Sequence, residues 1–360
     1  MIPGNEALLS ILRYVAEYNA SDIYLTTGAT PFLKVRGVNR PLGRKKLTPG
    51  QTRQLAYSMM NMEQIDQFER VKELNMAFWA EGIGRFRINV YQQRGEVAIV
   101  GRFINSRVPT LAALGLPPVV GQLAMLQRGL VLVVGSTGSG KSTTLASMIN
   151  HRASTQAGHI LTLEEPIEYF ISHQKATVDQ REIGIDSMSF ADALRNAMRQ
   201  APDVIVIGEI RDRETMQSAI SYSETGHLCI STLHANNANQ AIKRILNFFP
   251  ESAHQQLLVD LSLNLQAVVA QRLLTGTNES MVLAYETMVR TAYIAELIRK
   301  GNIDEIRACI DKNSDADMQT FDQCLLGLYN KRLIDQQTAL DYADSKTELS
   351  LKIRLAAAGR

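Results

Sequence analysis

Gly135-Ser-Thr-Gly-Ser-Gly-Lys141-Ser142 sets three glycines, a lysine and a closing hydroxyl within eight positions. The pattern is G-x-x-x-x-G-K-[ST], and it needs a strand before it and a helix after it. Both flanks have that character: Leu130 to Val134 is an unbroken apolar run, and Thr143 to Arg152 is helical in pattern. Gly135, Gly138 and Gly140 permit backbone conformations that aim successive N–H groups at phosphate oxygens, with Ser136, Thr137, Ser139 and Thr143 completing the cradle. Lys141 would reach the outer phosphates and Ser142 Oγ would coordinate Mg²⁺. The helix that follows would turn its positive end to the anion.

Phosphoryl transfer also needs acids near the metal and the water. Val204-Ile-Val-Ile-Gly208-Glu209 sets a carboxylate directly past a buried strand, where Glu209 could hold the Mg²⁺ shell through water. A second acidic group follows another apolar run, in Leu163-Glu164-Glu165-Pro166-Ile167-Glu168. Carboxylates this close repel one another unless a cation or an ordered water offsets them, and one of them is a candidate general base. Pro166 excludes a continuous helix there. His234 ends the run Ile230-Ser-Thr-Leu, and His227 precedes it; either could shape the water network around a terminal phosphate. His151, His159 and His173 read as surface residues, and no spacing suggests zinc.

The elements that must position these groups are legible in outline. Leu130–Val134, Ile160–Leu163 and Val204–Ile207 are short continuous apolar runs separated by helical stretches, as in a parallel sheet buried on both faces. This predicts an α/β domain over 119–290, with helices over 291–360. Residues 1–104 read as a smaller α+β domain. Leu8, Leu12 and Val15 fall at helical spacing, and extended runs occur at Ile23–Leu25 and at Leu33 and Val35. A helix is expected from Thr48-Pro49 to about Val71, with Thr48 as its cap. Two strands are expected at Arg85–Tyr91 and Glu96–Ile104. Pro109, Gly115, Pro117 and Pro118 mark 105–118 as a linker.

Composition narrows the class. Of 360 residues 45% are apolar and 21% charged, which excludes a disordered or collagen-like chain. Lys and Arg number 38 against 36 acids, a net of +2, so no basic stripe for nucleic acid is implied. Three cysteines without a C-x-x-C pair argue against both a disulfide framework and a zinc ribbon. Met1-Ile-Pro-Gly-Asn-Glu lacks the basic start of a secretory signal, and the apolar runs fall far short of the ~20 residues that span a bilayer. A cytoplasmic protein is expected, peripheral if it works at a membrane.

Taken together, these motifs resemble the secretion ATPase superfamily, specifically the type IV pilus retraction ATPases of the PilT/PilU family. Gly135–Thr144 resembles the Walker A box, Leu163–Glu168 the Asp box, Gln200–Arg211 the Walker B box and Thr225–His234 the His box. Ala20-Ser-Asp-Ile-Tyr-Leu and Gly84-Arg-Phe-Arg resemble the family's PAS-like N-terminal domain. The resemblance implies a RecA-like P-loop domain, a homo-hexamer, and hydrolysis of ATP with Mg²⁺ to ADP and phosphate. It also implies pilus retraction and twitching motility, with work at the cytoplasmic face of the inner membrane against a platform protein. It makes Glu168 the base, with Glu209 and His234 completing the site. Arg85, Arg87 and Arg102 show no obvious local acidic partner and are candidates to act in trans on a neighbouring subunit's phosphate.

Two departures matter. The Asp box usually carries Asp where this chain has Glu165. In Tyr293-Ile-Ala295-Glu-Leu-Ile-Arg299, Ala295 stands where the PilT branch has an arginine. With Gln180-Arg-Glu-Ile-Gly184-Ile-Asp and His234-Ala-Asn-Asn-Ala-Asn-Gln-Ala, this looks more like the PilU branch, which implies an accessory role beside a PilT-type motor. A pilus assembly or type II secretion ATPase would share the boxes, but such proteins usually add a tetracysteine module. A nucleic-acid translocase would need a basic channel, and a non-catalytic scaffold is disfavoured by the intact Lys141, Glu168 and Glu209.

Overall fold

The computed structural model describes residues 6–35, 37–104, 107–312 and 317–358. The chain divides into two units, Met1–Arg107 with Ile167–Phe170, and Val108–Pro166 with Ile171–Arg360. The first two residues of the expected linker, 105 and 106, lie outside the described residues. Pro118 already opens the helix Pro118–Ala124, with Leu116 buried before it.

The first unit carries β1 (Asp22–Thr26), β2 (Phe32–Val35), β3 (Val38–Pro41), β4 (Glu73–Ala80), β5 (Gly84–Gln93) and β6 (Glu96–Ile104). They form an antiparallel sheet in the order β3-β2-β1-β6-β5-β4. Strand alternation sends Phe86, Ile88 and Val90 into a core with Leu8, Leu12 and Val15 of the helix Glu6–Glu17 and Phe68 of the helix Met62–Val71. Arg85, Arg87 and Asn89 alternate with them and face the other side.

The helix expected from Thr48 to Val71 is two helices, Gln51–Tyr57 and Met62–Val71. Thr48 does not cap the first. Gly50, left-handed at φ 80°, holds the cap position, and the Gln51 N–H closes a turn on Thr48 O at 3.1 Å. The second begins afresh at Asn61, whose side chain and that of Gln64 exchange hydrogen bonds with each other's backbone N–H.

The second unit carries β7 (Gly129–Gly135), β8 (Gly158–Glu164), β9 (Ala176–Glu182), β10 (Val204–Ile207), β11 (Leu228–Leu233), β12 (Leu265–Thr275) and β13 (Met281–Val289). The order is β13-β12-β7-β11-β10-β8-β9, with only β13 antiparallel to its neighbour. This is the RecA-like arrangement that the resemblance implies. From Ala292 the described elements are helices, and Ile298, Ile310, Phe321, Leu325 and Leu349 share one core with Leu132 and Ile205 of the sheet. Among the described residues, no helix is long and apolar enough to cross a membrane. Because β7, β8, β10, β11 and β12 run parallel, their C-terminal ends meet along one edge. In an open α/β sheet that edge is where ligands bind.

Candidate active site

The loop Ser136–Gly140 leaves β7 at this edge and enters the helix Lys141–Thr155. Gly138 and Gly140 are left-handed, at φ 79° and 91°. A side chain on Gly135 would meet Ser139 Oγ at 2.3 Å and Gln271 O at 2.6 Å, so only glycine fits. Gly140 caps the helix without a side-chain bond, leaving the first-turn N–H groups directed at the loop. Ser142 is exposed there, and Ser139 Oγ is buried without a hydrogen-bond partner.

Lys141 is buried and folds back, donating from Nζ to Gly135 O at 3.0 Å and Ser136 O at 2.9 Å. Burial holds its pKa below the ordinary range, opposed by the charge of Glu209. A buried ammonium whose hydrogen bonds go to carbonyls, an orphaned serine hydroxyl and a glycine-rich loop at a helix N-terminus fit the phosphates of a nucleotide. The oxygens here that could hold a divalent cation are Ser142 Oγ and those of Glu209. Such a set suits an ion whose remaining ligands are substrate phosphate and water.

Glu209 follows β10 through Gly208, whose N–H bonds Leu163 O at 2.8 Å. Two bonds fasten this end to β11: Thr232 Oγ1 donates to Gly208 O at 2.6 Å, and the Ile210 N–H to Thr232 O at 2.9 Å. Glu209 Oε1 lies 2.7 Å from His234 Nε2, and its Oε2 accepts from Arg211 Nε at 2.8 Å. Arg211 reaches on to Glu165 Oε2 at 2.9 Å. Burial and the charge of Lys141 hold the His234 imidazole below its ordinary range, against the pull of Glu209. A neutral His234 then donates through Nε2–H and keeps Nδ1 as an acceptor. Glu164, half-buried at the end of β8, accepts from Thr162 Oγ1 at 2.7 Å and Gln180 Nε2 at 3.0 Å.

Lys141, Ser142, Glu209 and His234 are thus brought together in one unit. His227 is not among them. It precedes β11 at the opposite edge, with Nδ1 3.1 Å from Thr225 Oγ1 and 3.3 Å from Tyr222 O, a structural histidine. His159, expected on the surface, is half-buried at the start of β8 with Nε2 3.0 Å from Asp179 Oδ2.

Glu168 is exposed and belongs to the first unit, with Arg85, Arg87 and Arg102. Arg102 has a local acid after all, since its Nε bonds the buried Asp22 at 2.8 Å. That bond, against the cost of burial, holds Arg102 above its ordinary range, and Glu168 adds its charge. Sequence reasoning missed Arg211, although a cation two residues past a strand-end acid was a usable signal. It also missed Gln271, whose Nε2 donates to Thr144 Oγ1 at 2.7 Å and for which no local signal exists.

The family model described as "Type II/IV secretion system protein" matches residues 4–315. The chain belongs to this secretion ATPase family, in its PilT/PilU group. It is 47% identical to the type IV pilus ATPase PilU of Pseudomonas aeruginosa over 346 residues, 96% of this chain and 91% of that one. The type IV pilus retraction ATPase PilT of the same organism is 38% identical over 336 residues, 93% and 98% of the two chains. The crystal structure of the pilus retraction motor PilT with bound ADP superposes with a TM-score of 0.87 at 42% identity, covering 95% of this chain and 98% of that one. In this chain the Walker A lysine, Lys141, follows β7 and the Walker B carboxylate, Glu209, follows β10, with β11 and His234 between them.

Proposed function

We propose that this pilus-retraction ATPase works as a homo-hexamer at the cytoplasmic face of the inner membrane, as a PilU-type accessory to a PilT-type motor acting on a platform protein. The carrying observation is the 2.7 Å pairing of His234 with Glu209 at the edge that holds the phosphate loop. In this reading the loop N–H groups and Lys141 bind the phosphates of ATP. Mg²⁺, held by Ser142 Oγ and through water by Glu209, would draw charge from the phosphate oxygens. A carboxylate of the acidic box accepts the proton of the attacking water as the bond from the terminal phosphorus to the bridging oxygen breaks, giving ADP and phosphate. Glu168 is our candidate for that base. His234 orients the water network through its free acceptor. Arg85, Arg87 or Arg102 completes the charge on a neighbouring subunit's phosphate, and Arg102 would have to leave its bond to Asp22 to do so.

Phosphate release by Glu168→Gln and Glu164→Gln tests the base. Glu168→Gln should bind ATP and lose turnover by ~10²-fold or more; near-normal hydrolysis would transfer the role to Glu164. Mixing Lys141→Ala subunits with arginine-to-alanine subunits tests completion in trans, with recovered activity expected and strictly additive loss counting against it. The accessory role rests on Ala295 beside an intact ATPase core. In a strain lacking every other retraction ATPase, this chain alone should not retract pili; normal retraction would make it an independent motor.

A further inference from the structure

His234 directly follows β11, and four residues later the helix Ala238–Asn247 begins. The turn between them is held by charged groups of β12 and β13. Glu286 of β13, fully buried, accepts the N–H of Ala238 at 2.9 Å, at the positive end of that helix. Arg272 of β12 turns Nη2 towards Asn236 O at 3.4 Å and bonds Asp344 Oδ1 at 2.5 Å, while its Nη1 bonds Tyr342 O. Its guanidinium lies 3.8 Å over the Phe321 ring.

Tyr342 and Asp344 lie in the connection between the helices Gln336–Asp341 and Lys346–Ala358. That connection is pinned in turn. Asp322, itself buried, accepts the N–H of Asp344 at 2.8 Å and of Ser345 at 3.1 Å, together with Arg307 Nη2 at 2.7 Å. Asp344 Oδ2 is buried with no hydrogen-bond partner, so Arg272 carries the whole pairing of that carboxylate. Residues next to each other on a strand face opposite sides. Gln271 accordingly meets Thr144 of the phosphate-loop helix, and Arg272 meets the turn after His234. One strand end touches both halves of the site.

We propose that Arg272, Glu286 and Asp344 are positioning residues for His234, and that they make the C-terminal connection Tyr342–Ser345 a working part of the ATPase site. Arg272 can satisfy Asn236 O, Tyr342 O and Asp344 together only because its fork is planar and five-donor, which lysine cannot reproduce. Loss of the Asp344 charge frees the fork, and the turn after His234 loses the support that Arg272 gives Asn236 O. Displacement of a catalytic group by about 1 Å is enough to cost ~10²-fold in rate. The proposal rests on the reading of His234 as a member of the active site.

The test is a double-mutant cycle in the full-length protein, with turnover expressed per nucleotide site by ADP-binding stoichiometry. Asp344→Asn should lower kcat about tenfold while the KM for ATP stays within about twofold, and Arg272→Lys should do the same. In a His234→Ala background, Asp344→Asn should cost nothing further. A merely structural role would reduce the number of folded sites without this non-additivity. Should Asp344→Asn fail to fold, Arg272→Lys carries the same comparison. If His234→Ala is slow and either substitution slows it again by its full factor, the positioning role is wrong and the active-site reading stands. If His234→Ala turns over at the wild-type rate, the role of His234 fails and takes this proposal with it.

Discussion

Replacing Glu286 with glutamine should raise the melting temperature at neutral and alkaline pH by an amount that vanishes in acid. Glu286 is 2% exposed. Burial lifts its pKa from the ordinary 4.5 to about 7; the Ala238 N–H opposes the lift, Asp344 reinforces it, and Arg272 and Arg307 oppose it. The folded state therefore keeps a proton that the unfolded chain releases. Stability is full below pH 4.5, falls as pH rises through 7, and is level above. Each pH unit over which the two states differ by a proton is worth about 1.4 kcal/mol, so the whole loss is about 3 kcal/mol. Glutamine keeps an oxygen for the Ala238 N–H and has no charge to bury, so it escapes the loss. At roughly 2 °C per kcal/mol for a chain of this size, the melting difference between variant and wild type should grow by about 6 °C from pH 4.5 to 7.5. Scanning fluorimetry without nucleotide, at one scan rate, measures it. A difference that stays constant across this range would mean that Glu286 does not titrate there, and the argument from burial would fall.

Lys141→Ala should lower phosphate release by ~10²-fold or more without lowering the melting temperature, since it removes a buried charge with only carbonyl partners. Gly208→Ala puts a methyl 3.2 Å from Glu164 Cα and Leu163 O, so the segment must shift and carry Glu209 with it; turnover should fall several-fold with circular dichroism unchanged. Arg211→Gln should change the melting temperature by no more than about 2 °C, because exposed ion pairs contribute about 1 kcal/mol or less. It should also move the acid limb of the pH–rate profile upward, since Arg211 is one of the cations that hold His234 below its ordinary range.

The sheet was legible where strands are buried on both faces. β7, β8 and β10 read as continuous apolar runs, β11 only as the run that His234 follows, and the meeting of Lys141, Glu209 and His234 follows once those strands run parallel. β9 was not legible, because Ala-Thr-Val-Asp-Gln-Arg-Glu is an edge strand whose charges break any apolar run. β12 was hidden by the helix His254–Asn264 that leads straight into it, since Leu257, Leu261 and Leu265 keep helical spacing across the junction. The two histidines flanking β11 could have been told apart from sequence. Only the one past the C-terminal end of a parallel strand shares the edge with the phosphate loop. The pairing of Arg102 with Asp22 could not have been foreseen, because it spans 80 residues and depends on β1 lying beside β6.

Glu165 explains how one departure from the family's acidic box is accommodated. The side chain is 47% exposed and its partner Arg211 is 52% exposed, so the 2.9 Å bond between them adds little to stability. Its effect is geometric. Arg211 forks between Glu165, past the end of β8, and Glu209, past the end of β10, and fixes one oxygen of Glu209 while His234 takes the other. A glutamate in place of aspartate moves the carboxylate out by one methylene and still meets the guanidinium, because both groups are half exposed at the edge of the sheet. His234 is therefore oriented from two sides: in front by Glu209, held through Arg211 and Glu165, and behind by the turn that Arg272 and Glu286 support. The frontal contacts come from the acidic box and the Walker B segment, and the rear ones from β12, β13 and the C-terminal helices. A change at either end of the second unit meets at one imidazole.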